Sequence, residues 1–200
     1  MHRSIALFLD RDGVINVDHG YVHRIADFDF MDGVFDLCKL AARAGLLLIV
    51  VTNQGGIARG YYSESDFLTL TNWMKERFDE VGAPLTDVFF DPTHPTAGVG
   101  AYRRESIERK PNPGMLLKAA EKWNIDLSRS FMIGDMPSDM LAARRAGIPH
   151  RLLFSQDKCR DTADASVRIT TMRQAEEYLS GHLFEKDGSC ACVFAPKQHG

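Results

Sequence analysis

Short apolar runs alternate with stretches of helical period along most of this chain. The runs Ile5–Leu9, Leu46–Val51, Val88–Phe90, Phe131–Ile133, Leu152–Phe154 and the shorter Val167–Ile169 have the length and flanking turn residues of buried strands. Apolar positions at helical spacing predict helices near Val34–Ala44, Ser63–Val81, Pro113–Trp123, Ser138–Ala146 and Met172–Ser180. The ends agree: Ser63 with Asp66 opens one helix, Pro113 stands at the start of another, and Gly45 and Gly147 close two. Strands separated by helices predict an α/β fold with a doubly wound, Rossmann-like parallel sheet. There is no internal repeat. After about Gly181 the pattern dissolves into Gly, Ser, Pro and Lys, so one domain is expected over residues 1–180 and a loosely docked tail over 181–200.

Bulk composition narrows the partners. The 200 residues are 44% hydrophobic and 26% charged, ordinary for one globular domain. Net charge is −3 with no Lys/Arg block, which argues against nucleic acid or an anionic membrane as partner. No run approaches the roughly 18 apolar residues of a membrane span. A strand begins within the first five residues, so no signal peptide is expected. Cys38, Cys159, Cys190 and Cys192 suggest no disulfide framework. The expectation is a cytoplasmic monomer.

Chemistry gathers at the ends of the apolar runs. Asp10-Arg11-Asp12-Gly13-Val14-Ile15-Asn16 directly follows Leu9, Thr52-Asn53-Gln54 follows Val51, and Gly134-Asp135-Met136-Pro137-Ser138-Asp139 follows Ile133; Arg109-Lys110-Pro111 precedes a helix. In an open parallel sheet such positions converge on one edge, where ligands bind. Two carboxylates one residue apart can divide a phosphoryl transfer, one attacking phosphorus and the other handling the proton. Asp10 and Asp135 suit Mg²⁺, while Thr52, Arg109 and Lys110 suit phosphoryl oxygens. The first cluster also resembles the start of an EF-hand loop. That loop follows a helix and ends in Glu at its twelfth position, whereas here a strand precedes and Tyr21 occupies that place.

The four clusters, in this order, resemble the motifs of the haloacid dehalogenase (HAD) superfamily of aspartate-nucleophile phosphatases. Within it, the strings Asn16–Val22, Val51–Gly60 and Arg109–Met115 are similar to the heptose 1,7-bisphosphate phosphatase family, whose members remove the 7-phosphate. The resemblance runs from about Ile5 to Ile169. It implies Asp10 as nucleophile and Asp12 as general acid, then base. Asp10, the Asp12 carbonyl and Asp135 would ligate Mg²⁺, and Thr52, Arg109 and Lys110 would steady the phosphoryl group. Asp18, His19, Gly20, Tyr21, Asn53, Gln54 and Gly55 would line a phosphosugar site. Histidinol-phosphate or other sugar-phosphate phosphatases are the nearest alternative, and a catalytically silent phosphosugar-binding protein is a rival of another class.

Spacing and departures refine this. Gly13–Val51 and the stretch from Thr52 to Glu108 are too short to hold a separate cap domain, so the loops Asn16–Asp29 and Asp91–Glu108 are expected to wall the site. Many relatives bind a structural zinc in the second loop with Cys-x-His and Cys-x-Cys. Here those positions are Asp91, Thr93, Ser106 and Glu108, so no structural zinc is expected there. The residue after Asp135, often Lys in relatives, is Met136, which keeps only a main-chain contact to offer substrate. His2, His23, His150 and His182 show no partner in the sequence, and Trp73, Trp123 and Cys38 are expected to pack.

Overall fold

The computed structural model describes residues 3–155 and 162–184. His2, Cys159, Cys190, Cys192 and His199 lie outside the described residues, as does the tail from residue 185.

Six parallel strands form one sheet: β1 (Ala6–Leu9), β2 (Leu47–Asn53), β3 (Asp87–Asp91), β4 (Phe131–Gly134), β5 (His150–Phe154) and β6 (Val167–Ile169), in spatial order β3-β2-β1-β4-β5-β6. The helices are α1 (Val34–Arg43), α2 (Gly55–Ala58), α3 (Glu64–Glu80), α4 (Gly114–Trp123), α5 (Pro137–Arg145) and α6 (Met172–Phe184). The expected α/β sheet and every predicted strand and helix are present. The short α2 is additional. The last helix passes Ser180 to Phe184, four residues into the segment expected to be tail. Gly181 is tolerated because Leu179 is fully buried and Leu183 packs on the same core.

The central strands are apolar on both faces, as a covered parallel sheet requires. Leu7, Leu9, Leu48, Val50 and Ile133 point to one core, shared with α1, α3 and α6. Ala6, Phe8, Ile49, Val51 and Met132 point to the other, shared with α4 and α5. Each buried Leu, Ile or Phe contributes about 1.5–3 kcal/mol relative to exposure. Ser63 and Asp66 form a reciprocal capping box at the start of α3. Cys38 is buried in α1, and Trp73 stacks on Phe30 and meets Phe28 edge-on. The Trp123 N–H donates to Asp87. His150 lacked a partner in the sequence but stacks on Phe131, 4.5 Å between centroids, with a ring nitrogen 3.1 Å from the Tyr178 hydroxyl.

Candidate active site

Strand order reverses direction between β1 and β4, the point at which doubly wound sheets open a crevice. There the two strands deliver their polar ends side by side. Asp10 follows Leu9 and its N–H donates to the Ile133 carbonyl at 3.0 Å; Asp135 follows Gly134. Asp10, Asp135 and Asp139 are buried, with carboxylate oxygens within 4.8 Å of one another. Gly13 permits the approach. It sits at φ +83°, and a Cβ there would stand 2.6 Å from the Asp135 carboxylate.

Among the described residues, Lys110 pairs with this acidic cluster at Asp10 and Asp139. The Lys110 Nζ lies 2.9 Å from Asp10 Oδ1 and 2.6 Å from Asp139 Oδ1, and it donates to the Val51 carbonyl at 2.8 Å. These contacts hold the ammonium where the ends of β1 and β2 meet the first turn of α5. Burial alone would lower the Lys110 pKa, but Asp10 and Asp139 outweigh it and hold the ammonium above its ordinary value. Burial pushes the Asp10 carboxyl up to about 8; Lys110 opposes that, and Asp139 and Asp135 add repulsion. Three carboxylates facing one ammonium are short of positive charge, and their oxygens are the donors a hard divalent cation takes. Asp139 spends Oδ1 on Lys110 and Oδ2 on the Met136 N–H, whereas Lys110 and the Arg11 N–H both fall on Asp10 Oδ1, so Asp10 Oδ2 and Asp135 are the carboxylate groups that suit such an ion.

Lys110 reaches the cluster because Asn53 fixes its main chain. Asn53 Oδ1 accepts from the Lys110 N–H and Asn53 Nδ2 donates to the Lys110 carbonyl, both at 2.9 Å. This pairing anchors the loop before α4 to the end of β2.

Asp12 stands beside this centre and is partly open to solvent. Arg11, buried over Phe67 and donating to the Val22 carbonyl at 2.7 Å, grips both Asp12 oxygens through Nε and one Nη at 2.9–3.3 Å. Asn16 Nδ2 donates to Asp12 Oδ1 at 3.1 Å and Gln54 Nε2 to Oδ2 at 3.2 Å. The same Gln54 nitrogen donates to Thr52 Oγ1 at 2.9 Å.

The rim comes from loops. Asp18 accepts the Gly20 N–H at 2.9 Å, closing an Asx turn, and His19 pairs with Asp29 at 2.8 Å. Gly20 and Tyr21 both have positive φ, and Tyr21 stands 45% exposed, edge-on to Tyr61 and under the Arg59 guanidinium. Arg59 and Arg109 converge on Gly55, with two guanidinium nitrogens of Arg109 and one of Arg59 within 4 Å of where its Cβ would be. Arg109 donates to the Thr93 carbonyl at 2.8 Å. The start of the second loop is tied by Asp91, which accepts from Thr93 N–H at 2.8 Å and Thr93 Oγ1 at 2.6 Å. Farther along, Ser106 Oγ accepts the Glu108 N–H at 3.1 Å. The Met136 side chain is exposed, but its N–H donates to Asp139 Oδ2 at 3.0 Å and is engaged within the protein.

This geometry has close counterparts. Residues 107–172 match the HAD-hydrolase-like family model. Over 180 residues the chain is 50% identical to the D-glycero-alpha-D-manno-heptose-1,7-bisphosphate 7-phosphatase of Burkholderia mallei, covering 90% of this chain and 95% of that protein. The chain belongs to the heptose bisphosphate phosphatase family of HAD hydrolases. A second member of this phosphatase family, the D-glycero-beta-D-manno-heptose-1,7-bisphosphate 7-phosphatase of Vibrio cholerae, is 45% identical over 177 residues, 87% of this chain and 95% of its own. Among solved structures, a protein from Mesorhizobium loti described as a HAD-like phosphatase superposes with TM-score 0.82 at 34% identity, covering 90% of this chain and 86% of that one. The D,D-heptose 1,7-bisphosphate phosphatase of B. bronchiseptica, solved with magnesium and phosphate, shares the fold with TM-score 0.75 at 24% identity, covering 88% of this chain and 98% of that one.

Within this HAD phosphatase site, the structure brings Asp10, Asp12, Thr52, Lys110 and Asp135 to one edge. It places Asp18–Tyr21, Gly55 and Arg109 at the rim and turns Asn53 and Gln54 toward protein partners. Asp139, Arg11 and Tyr62 belong to the constellation: the first two stand inside sequence clusters that gave them no role, and Tyr62 lies outside those clusters. Asp139 is an acid in the first turn of a helix, which reads as a dipole or capping group. Its signal was its place four residues after Asp135, on the face turned to the sheet.

Proposed function

We propose that the chain is a Mg²⁺-dependent phosphomonoesterase that removes the 7-phosphate of D-glycero-D-manno-heptose 1,7-bisphosphate. The observation that carries the reading is the buried Asp10 carboxylate, braced by Lys110 and the Arg11 N–H, at the switch point of the sheet. Asp10 attacks phosphorus and forms an aspartyl-phosphate while the sugar oxygen leaves with a proton from Asp12. Asp12 then takes a proton from water, whose oxygen attacks phosphorus, releases phosphate and regenerates Asp10. Lys110 and Thr52 meet charge on the phosphoryl oxygens. Asp10, Asp135 and the Asp12 carbonyl would hold Mg²⁺, which supplies charge neutralisation between carboxylate and incoming phosphate.

The relatives, acting on both alpha and beta heptose bisphosphates by their names, support the sugar class. Arg59 and Arg109, paired at the rim, suit a second phosphate on the substrate. Histidinol phosphate carries an ammonium and would face these guanidiniums with like charge. Retention of both acids with Lys110 disfavours a silent binding protein. Phosphate release should be compared on both heptose 1,7-bisphosphate anomers, fructose 1,6-bisphosphate and histidinol phosphate. The reading predicts the highest kcat/KM on a heptose bisphosphate; a higher value on histidinol phosphate overturns it.

A further inference from the structure

Gln54 stands among residues expected to line a sugar, yet it is 1% exposed and its amide is bonded to Asp12, Thr52 and Tyr62. Its carbonyl oxygen accepts from the Tyr62 hydroxyl at 2.6 Å, and its Nε2 donates to both Asp12 Oδ2 and Thr52 Oγ1. The amide has one orientation compatible with these neighbours. Turned over, its oxygen would face the Asp12 carboxylate and its nitrogen would meet the Tyr62 donor. Burial pushes the Tyr62 hydroxyl up to about 12, so it remains a donor at neutral pH. Tyr62 in turn packs where residue 56 lacks a side chain: a Cβ on Gly56 would stand 2.3 Å from its ring. His23 stacks on the Tyr62 ring, centroids 4.9 Å apart and rings 6° from parallel.

We infer that Gln54 is a positioning residue of the hydrolysis, an amide strut that holds Asp12 and Thr52 in fixed relation, with its orientation set by Tyr62. Because Thr52 Oγ1 accepts from Gln54, its own proton is directed elsewhere, toward the phosphoryl group. Because Asp12 Oδ2 accepts from the same nitrogen, the carboxylate that serves the leaving oxygen is registered to the group that holds the phosphorus. The strut touches neither. The inference rests on the roles given above to Asp12 and Thr52, and the test separates the two.

The test uses the full-length Mg²⁺-loaded enzyme with two esters, heptose 1,7-bisphosphate and p-nitrophenyl phosphate. The second has a leaving group that departs without a proton. Wild-type turnover of p-nitrophenyl phosphate but not of the heptose bisphosphate would overturn the substrate assignment alone, and glycerol phosphate then serves as the alkyl ester. Gln54→Ala should lower kcat/KM on the alkyl ester by roughly 10- to 100-fold, with a clearly smaller loss on p-nitrophenyl phosphate; this ratio stops at transfer to Asp10 and leaves out hydrolysis of the aspartyl-phosphate that both esters share. Tyr62→Phe, which removes one oxygen, should lower kcat/KM in the same pattern by roughly 3- to 10-fold. Thermal unfolding confirms that each variant is folded; where Gln54→Ala is not, Tyr62→Phe decides. A raised KM with unchanged kcat, equal kcat/KM losses on both esters, or wild-type kcat/KM in Tyr62→Phe would overturn the inference.

Discussion

The Lys110 ammonium lies 2.6 Å from the Asp139 carboxylate, and both side chains are almost wholly removed from water. Removing one partner of a buried pair costs about 3–5 kcal/mol when the other charge is left alone, but here Asp10, 2.9 Å away, still faces Lys110. Asp139→Ala should therefore lower unfolding free energy by less than that, about 1–3 kcal/mol, in urea titration. Asp139→Asn, which keeps an acceptor for one of Lys110 and the Met136 N–H and turns an amide nitrogen toward the other, should lose less. Equal stability of Asp139→Ala and wild type would mean that the pair is not formed in solution.

Asp10→Asn should abolish turnover and leave the fold intact, because the lost group is the attacking carboxylate. Its unfolding midpoint should not fall far, since an amide there escapes the desolvation that burdens the carboxylate. Asp12→Asn should also be severe, through lost proton exchange. Phosphate release near the wild-type rate from folded Asp10→Asn protein would sink the nucleophile assignment.

Activity should depend on added Mg²⁺ and disappear with a strong chelator. Elemental analysis of untagged protein should find no stoichiometric zinc. Asp91, Thr93, Ser106 and Glu108 offer no thiolate or imidazole, and Asp91 is already bonded to Thr93. One tightly held zinc per chain would contradict this.

Lys110→Ala should depress kcat on every ester tested, because the phosphoryl group is common to all. Arg103→Ala and Arg104→Ala, on exposed loop positions, should instead shift relative kcat/KM among sugar phosphates. A changed substrate ranking with undiminished best turnover in Lys110→Ala would refute the role given to the lysine.

Burial pushes the Cys38 thiol up to about 12 from 9.0. Above pH 9 the unfolded chain loses this proton and the folded chain keeps it, so this residue's effect is to lower stability as pH rises from about 9 to about 12. Cys38→Ala should flatten that part of the stability curve, measured by urea unfolding at successive pH values. Site-resolved alkylation at pH 8 should leave Cys38 unmodified in the folded protein.

Strand ends were the legible part of the site. Asp10, Thr52 and Asp135 each follow an apolar run, and the sheet rule places them together without knowledge of packing. Direction along the edge was not legible. Asn53 and Gln54 sit in a string that reads as sugar lining, yet strand alternation and the loop at Lys110 turn them inward, one to a main chain and the other to Asp12. Asp139 required the register of α5 against β4. Arg11 lies between two site acids, where its own burial over Phe67 depends on a helix more than fifty residues away. The four-residue α2 carries too little periodicity to announce itself.

The Asp10 N–H bonded to the Ile133 carbonyl has a consequence for assembly. The two acids proposed to share the cation come from opposite halves of the chain and meet only when β4 docks against β1. A nascent or truncated chain ending before Phe131 could pair β1 with β2 and β3, yet it would lack Asp135 and Asp139 together. Chemical competence should thus arise late, with the long-range pairing that slows the folding of such sheets. In a refolding experiment the regain of turnover should trail the regain of helical signal, and the lag would time the closure of the central strands.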